Sequence, residues 1–431
     1  MSASRTITQG AFLRADGSKG IRNLVAVVYL VECAHHVSRE IQMPYRENGV
    51  HLIGFSGCYP NDYSFRMLQG LCTHPNVGAV LLVSLGCEGF NRHGLLDAVR
   101  ASGRACELLV IQQTGGTRET IRRGRDWVGR TISQLDSTPR VAMAIDEIVV
   151  GTVCGGSDGT SGITANPAIG RAFERLVGEG ARCIFEETGE LIGCEQIMGA
   201  RAITPELGTI LHASIAKAAR YYATLGHGSF APGNADGGLT TQEEKSMGAY
   251  SKSGSSPISG LLKPGDVPRA GGLYLLDVVP DGEVRFGFPN INDNAEIAEL
   301  IACGSHVILF STGRGSVVGS AISPVIKVCA NPETFRNLPD DMDVNAGRIL
   351  EGDSNLDGVG EEIHRLIHEV ADGRQTASES LGHQEFVLGY KSFDPIGPAC
   401  HPTLNPSASP ARPAATAVHL ACLSGRPGRR R

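Results

Sequence analysis

The feature that most constrains this chain is an alternation. Four apolar runs, Leu24–Val31, Val50–Phe55, Ala79–Leu85 and Leu108–Gln112, are separated by the helix-compatible stretches His36–Ile41, Tyr63–Leu71 and Gly94–Ala101. A further such stretch, Arg118–Leu135, follows the last run. Short apolar strands with a helix between each pair predict a parallel, doubly wound α/β sheet. In such sheets ligands bind outside the carboxyl ends of the strands. The segments at those ends are Glu32-Cys33-Ala34-His35-His36, Ser56-Gly57-Cys58, Gly86-Cys87-Glu88 and Thr114-Gly115-Gly116-Thr117. Their polar and glycine-rich character fits a site.

Pro139 marks a boundary, and a second α/β region follows. Val141–Val150 reads as a strand, as do Ala181–Phe185, Gly272–Val278 and His306–Phe310. Pro205–Thr224 reads as a helix with Thr204 as its N-cap and Pro205 at the first helical position. Ala295–Cys303 looks helical, and Pro280–Asp293 loop-like. Gly233–Gly260 is a long Gly/Ser/Thr-rich stretch of the kind that serves a site. The expected division is therefore 10–136, an α/β domain, and 140–395, a second α/β domain carrying the catalytic groups. From about Asn405 onward Ser, Pro, Ala and Arg dominate, which predicts a disordered tail over 405–431.

Composition excludes several classes. The net charge is −6 and aromatics make up 5%, so neither a basic surface nor a stacking platform for nucleic acid is expected. No apolar run reaches membrane-spanning length and the N-terminus lacks a signal-peptide core, so a cytoplasmic protein is expected. The 12 cysteines include no CxxC pair, against a zinc ribbon or thioredoxin-type site. Cys33, Cys106, Cys183, Cys303 and Cys329 sit in or beside apolar runs and read as core. Cys58, Cys87 and Cys154 sit beside glycines at loop-like positions.

The densest run of functional groups is Val153-Cys154-Gly155-Gly156-Ser157-Asp158-Gly159-Thr160-Ser161-Gly162-Ile163-Thr164-Ala165-Asn166-Pro167. It follows a strand and precedes a helix, a geometry that turns backbone N–H groups toward an anion. Cys154 and Asp158 are candidate metal ligands, with Cys87 and Glu88 as further candidates. Gly155, Gly156, Ser157 and Asn166 are candidate substrate contacts. A second run, Gly233 to Ser246, offers Thr240, Thr241, Glu244 and Lys245. Thr241 with Glu244 is also a capping box, which explains part of that run without any ligand. Thr312-Gly313-Arg314-Gly315-Ser316 follows another strand. Arg314 can grip an acid group there bidentately, with Ser316 beside it. No GxGxxG with a following acidic residue appears, against a nicotinamide enzyme.

Together these runs resemble a known family. Phe12-Leu13-Arg14-Ala15-Asp16-Gly17-Ser18-Lys19-Gly20-Ile21-Arg22-Asn23, Gly115-Gly116-Thr117-Arg118, Cys154 to Pro167, Gly233 to Ser246 and Gly313 to Ser316 are similar to motifs of the altronate/galactarate dehydratases. The likeness runs from about residue 10 to 395. It implies a lyase, usually dependent on iron(II) with manganese(II) as a substitute, that eliminates across C2 and C3 of a 2-hydroxy acid. Glu32 to His36, Gly57-Cys58-Tyr59-Pro60-Asn61 and Gly382-His383-Gln384-Glu385-Phe386 lean toward the branch that splits (2R)-3-sulfolactate into pyruvate and sulfite. Loss of water from altronate or galactarate is the alternative, and non-catalytic binding of a sugar acid a second one. The resemblance also implies an oligomer and a separately encoded small subunit of the SAF type, since this chain begins at the large domain. The C2 proton needs a base. Lys245, Glu244 and His35 are the candidates, and the sequence leaves the three equivalent.

Overall fold

The computed structural model describes residues 6–226, 231–280 and 292–391, all within one compact unit. The tail expected over 405–431, most of the Pro280–Asp293 loop and the Gly226-His227-Gly228 step beyond Gly226 lie outside the described residues.

The first sheet has four parallel strands in the order β4-β3-β5-β6. They are β3 (Leu24–Tyr29), β4 (Val50–Gly54), β5 (Val77–Ser84) and β6 (Ala105–Val110). Period-2 alternation splits β3 between two cores. Ala26 and Val28 face one, and Val25 and Val27 the other. Burial on both faces is why these runs are continuously apolar.

The second sheet has seven strands in the order β10-β11-β9-β8-β12-β13-β14, all parallel. They are β8 (Val149–Cys154), β9 (Arg182–Glu186), β10 (Ile258–Leu262), β11 (Gly272–Leu276), β12 (Val307–Thr312), β13 (Val325–Cys329) and β14 (Val344–Asn345). Helix Ala165–Gly178 leads from β8 to β9 across one face, where Ala168, Ile169, Phe173 and Leu176 are buried. Helix Asp293–Ala302 leads into β12 across the other face and buries Ile297, Leu300 and Ile301. β9 and β12 flank β8 on opposite sides, so the strand order reverses there. That reversal opens a crevice at the carboxyl ends of β9, β8 and β12.

Three expectations change. Cys33, expected in the core, is exposed. Val141–Val150 is not one strand. It divides into β7 (Arg140–Ala144) and β8, separated by a single turn over Ile145–Glu147. The polar pair Asp146 and Glu147 breaks the run, and the Glu147 carboxylate accepts from Ala144 N at 2.7 Å and Lys19 Nζ at 2.6 Å. β7 then pairs antiparallel with β1 (Thr6–Leu13), which also pairs with β2 (Lys19–Gly20). Gly233–Gly260 is likewise not a single loop, because it contains helix Gln242–Ser251 and the start of β10.

The two larger sheets share a core. Val28, Ile53 and Leu82 of the first sheet join Val153, Ile308 and Phe310 of the second in one buried cluster, with helices Asp62–Cys72 and Asp293–Ala302 inside it.

Candidate active site

Cys154 is the last residue of β8, and its buried thiol sits at the crevice. Two carboxylates approach it from the end of β9. Sγ lies 3.7 Å from Glu187 Oε2 and 3.6 Å from Glu190 Oε2. Glu187 directly follows the strand, and Glu190 comes one turn later, with its N–H on Glu187 O at 2.9 Å. Thr188 fixes that turn by donating its hydroxyl to Leu276 O of β11 at 2.8 Å.

Two lysines complete the cluster. The Lys245 ammonium donates to Cys154 Sγ at 3.2 Å and Ser157 Oγ at 3.1 Å, and lies 2.8 Å from Glu190 Oε1. Lys252 is fully buried in contact with Glu187. Lys245 is in helix Gln242–Ser251 and Lys252 caps its end. Seven residues are about two helical turns, so both ammonium groups point the same way. The Thr241–Glu244 capping box fixes the start of that helix. Thr241 Oγ1 accepts from Glu244 N at 3.2 Å, and Glu244 Oε2 accepts from Thr240 N at 3.0 Å.

Helix Asp293–Ala302 supplies more acid. A Cβ added at Gly155 would lie 2.0 Å from Asp293 Oδ2, so that carboxylate rests directly on the glycine backbone. Burial, reinforced by Glu190, raises Asp293 to about 6 and Glu296 to about 8. Burial and the charge of Glu296 push Glu186 well above the ordinary carboxylate range. Burial disfavours the Lys245 ammonium too, but Cys154 and Glu190 together outweigh it and hold that lysine protonated. For Lys252 burial prevails, and its affinity for a proton falls. Glu186, Glu187, Glu190, Asp293 and Glu296 outnumber Lys245, Lys252 and Lys391, whose charge also reaches Glu186 and Glu296. Such a cluster takes up protons or a divalent cation. A thiolate with two carboxylates is a donor set suited to a divalent first-row metal such as iron(II). Cys154, Glu187 and Glu190 offer ligand atoms all within 4.8 Å of one another. These residues fit the metal that the sequence resemblance implies.

The glycine loop joins two strand ends. Gly155 N–H donates to Ser311 O at 3.1 Å, and Gly156 O accepts from the N–H groups of Gly313 and Arg314 at 3.1 and 2.8 Å. Gly156 has φ +59°, a conformation that favours glycine.

The structure brings Cys154, Ser157 and Lys245 together, with Gly155 and Gly156 on the same loop. The other predicted residues make the following contacts. Asp158 is engaged in scaffolding. Oδ1 accepts from Thr160 N at 2.9 Å and Thr160 Oγ1 at 2.6 Å, and Oδ2 from Asn331 Nδ2 at 3.0 Å. Asn166 donates to Gly248 O at 3.1 Å and holds the lysine-bearing helix against the one after β8. Glu244, Thr240 and Thr241 serve the cap. Arg314 donates to Gly233 O and stands 3.8 Å from Asp236, while Ser316 Oγ accepts from Val318 N at 3.3 Å. Cys87 and Glu88 follow β5, in the other sheet. Cys87 is exposed, and Glu88 accepts from the Ser84 hydroxyl and from Gly86 N at 2.8 Å. His35 pairs with Glu32 at 3.0 Å and packs on the Tyr29 ring.

Sequence reasoning missed Glu187, Glu190, Lys252, Asp293 and Glu296. The signal for the first two was the strand-end rule itself. Glu186-Glu187-Thr188-Gly189-Glu190 directly follows an apolar run.

Comparison with known proteins settles the family. Residues 145–393 match the D-galactarate/altronate dehydratase C-terminal domain, and residues 11–136 match the second domain of D-galactarate dehydratase/altronate hydrolase. The chain belongs to the altronate/galactarate dehydratase family. It is therefore a lyase. One relative, the (2R)-sulfolactate sulfo-lyase subunit beta of Chromohalobacter salexigens, is 35% identical over 341 residues, 76% of this chain and 82% of the relative. The altronate dehydratase of Escherichia coli is 28% identical over 394 residues, 88% of this chain and 76% of the relative. The galactarate dehydratase (L-threo-forming) of the same organism is 29% identical over 405 residues, 88% and 75%. No helix among the described residues is long and apolar enough to cross a membrane.

Proposed function

We propose that this chain is the large subunit of a metal-dependent lyase that converts (2R)-3-sulfolactate to pyruvate and sulfite. The observation that carries the reading is the 35% identity with a sulfolactate sulfo-lyase subunit across 82% of that relative. The Cys154 cluster supplies groups suited to the chemistry. Cys154, Glu187 and Glu190 would hold iron(II), or manganese(II) in its place. When bound, the metal supplies Lewis acidity toward the carboxylate and 2-hydroxyl of the substrate. The protein's own groups do the rest. Asp293, with a pKa near 6, is ionised at neutral pH and basic enough to take the C2 proton. The electron pair of that C–H bond forms the C2–C3 double bond, the C3–S bond breaks, and sulfite leaves with its electrons. The enol of pyruvate remains and tautomerises. Lys245 stays protonated and steadies the developing anion.

Loss of water is the second reading. Hydroxide leaves only when protonated, and burial beside Glu190 raises Glu296, which makes it the candidate acid. Sulfite departs without such help.

The sulfolactate relative is named as a subunit, so a small SAF-type partner belongs to this proposal. The test is to co-express the chain with that partner, load iron(II) anaerobically, and offer sulfolactate, altronate and galactarate. Sulfite and pyruvate in equal amounts from sulfolactate alone is the expected result. A 2-oxo acid from a sugar acid, with no sulfite from sulfolactate, overturns it.

A further inference from the structure

A second cluster of metal-ligating side chains lies away from Cys154. Helix Leu356–Ala371 carries His364 and His368 one turn apart, with their ring centroids 4.8 Å from each other. Glu179 caps the carboxyl end of helix Ala165–Gly178, and its carboxylate lies 2.9 Å from His364 Nε2. The three residues offer ligand atoms all within 4.8 Å of one another. We propose that Glu179, His364 and His368 form a zinc-class divalent metal site that clips these two helices together.

Two histidines at i and i+4 on one helix face present their nitrogens to a common point, the spacing used by helical zinc sites. A carboxylate from a neighbouring element completes a three-ligand set with one position left for water. Zinc bonds of about 2.0–2.2 Å at tetrahedral angles place ligand atoms roughly 3.3 Å apart. The His364–Glu179 contact therefore opens by only a few tenths of an ångström on loading.

The rest of the structure holds the three groups in place. The two helices are in contact, and Ala168, Ala172 and Leu176 of one and Val359, Ile363 and Ile367 of the other lie in the same buried cluster. Their crossing is close, because a Cβ added at Gly360 would lie 2.5 Å from Arg171 Cβ. The side chains are only 13% exposed at His364 and 23% at Glu179, so little rotamer freedom is lost on binding. The site is separate from the catalytic cluster. Glu179 lies just before Arg182, where β9 begins, and Glu186 and Glu187 lie at its other end, roughly 13 Å of strand away.

The experiment uses the full chain stripped of metal and carrying Cys154→Ser, which removes the thiolate donor of the other cluster. Zinc(II) titration by calorimetry should show one tight equivalent, lost or weakened at least tenfold by adding His368→Ala or Glu179→Gln. Cobalt(II) should give visible d–d bands without a thiolate charge-transfer band, and His368→Gln should abolish them. Zinc should raise the melting temperature of Cys154→Ser but not of Cys154→Ser/His368→Ala. In the iron-loaded enzyme with Cys154 intact, His368→Ala should leave turnover unchanged. Far-ultraviolet circular dichroism checks the fold of each variant. Equal zinc stoichiometry and equal cobalt spectra with and without His368 overturn the assignment, as does the absence of any tight equivalent in Cys154→Ser.

Discussion

The ammonium of Lys245 stands 2.8 Å from the carboxylate of Glu190, and the same ammonium lies 3.2 Å from the sulfur of Cys154. Two of the three residues proposed as metal ligands, Cys154 and Glu190, are thus the two that hold the lysine charged. Thiol, carboxylate and ammonium form one coupled charge system.

Removing the ammonium tests that coupling. Lys245→Met leaves Glu190 without its paired cation, with only Lys252 beside Cys154. Loss of one partner of such a pair costs about 3–5 kcal/mol, and Glu190 retains 21% exposure, so the lower end is expected. Turnover should fall at least ~100-fold. Urea unfolding and steady-state assays measure both quantities. Wild-type turnover in Lys245→Met would remove Lys245 from the site.

Cys154→Ser replaces the soft donor by a neutral hydroxyl. Losing a ligand should weaken iron binding by more than the ~10–100-fold typical of a supporting group. Elemental analysis after anaerobic gel filtration gives the readout. Full iron content in this variant would mean that the carboxylates hold the metal alone.

Glu296 sets a pH dependence with a definite sign. Its folded pKa is raised from 4.5 to about 8. Between those values the folded state holds a proton that the unfolded state has released, so stability falls as pH rises through the window. One proton corresponds to at most about 1.36 kcal/mol per pH unit. In metal-free protein, Glu296→Gln should therefore flatten the decline in urea stability between pH 5.5 and 7.5. Parallel profiles for wild type and variant would contradict the raised pKa.

Gly155→Ala sets activity against stability. The new methyl group would overlap the Asp293 carboxylate and the Phe310 ring. Overpacking of this kind costs about 1–3 kcal/mol, and displacement of Asp293 should also lower kcat while substrate binding changes less. Gly178→Ala is the control, since nothing lies within 4 Å of its added Cβ. It should match wild type in turnover and in melting temperature within a few degrees.

What the sequence revealed follows from range. The four runs of the first sheet and the Cys154 loop were legible because burial on both faces and strand-end chemistry are local patterns. The division between β7 and β8 was not, because Val141–Ala144 and Val149–Val153 are equally apolar. The pairing of β7 with β1, far away in the chain, is what sets it apart from β8, and a local pattern does not show it. Glu187 and Glu190 look like ordinary solvated acids until β9 is placed beside β8. Lys252 looks like part of a Ser/Gly loop until the helix before it is seen to turn it inward. Asp158 reads as a metal ligand in the sequence, and its hydrogen bond from Asn331, far along the chain, is a contact that the local sequence does not show.

Helix Asp293–Ala302 carries Asp293 and Glu296 toward the Cys154 cluster while Ile297, Ala298 and Ile301 are buried in the cluster shared with the first sheet. The second sheet therefore cannot be excised as a free-standing catalyst. A fragment beginning near residue 140 would leave that helix with a greasy, unsupported back. The acid groups on it would lose the backing that fixes their aim. For anyone dissecting this enzyme, the amino-terminal third is the far side of the wall that carries Asp293 and Glu296.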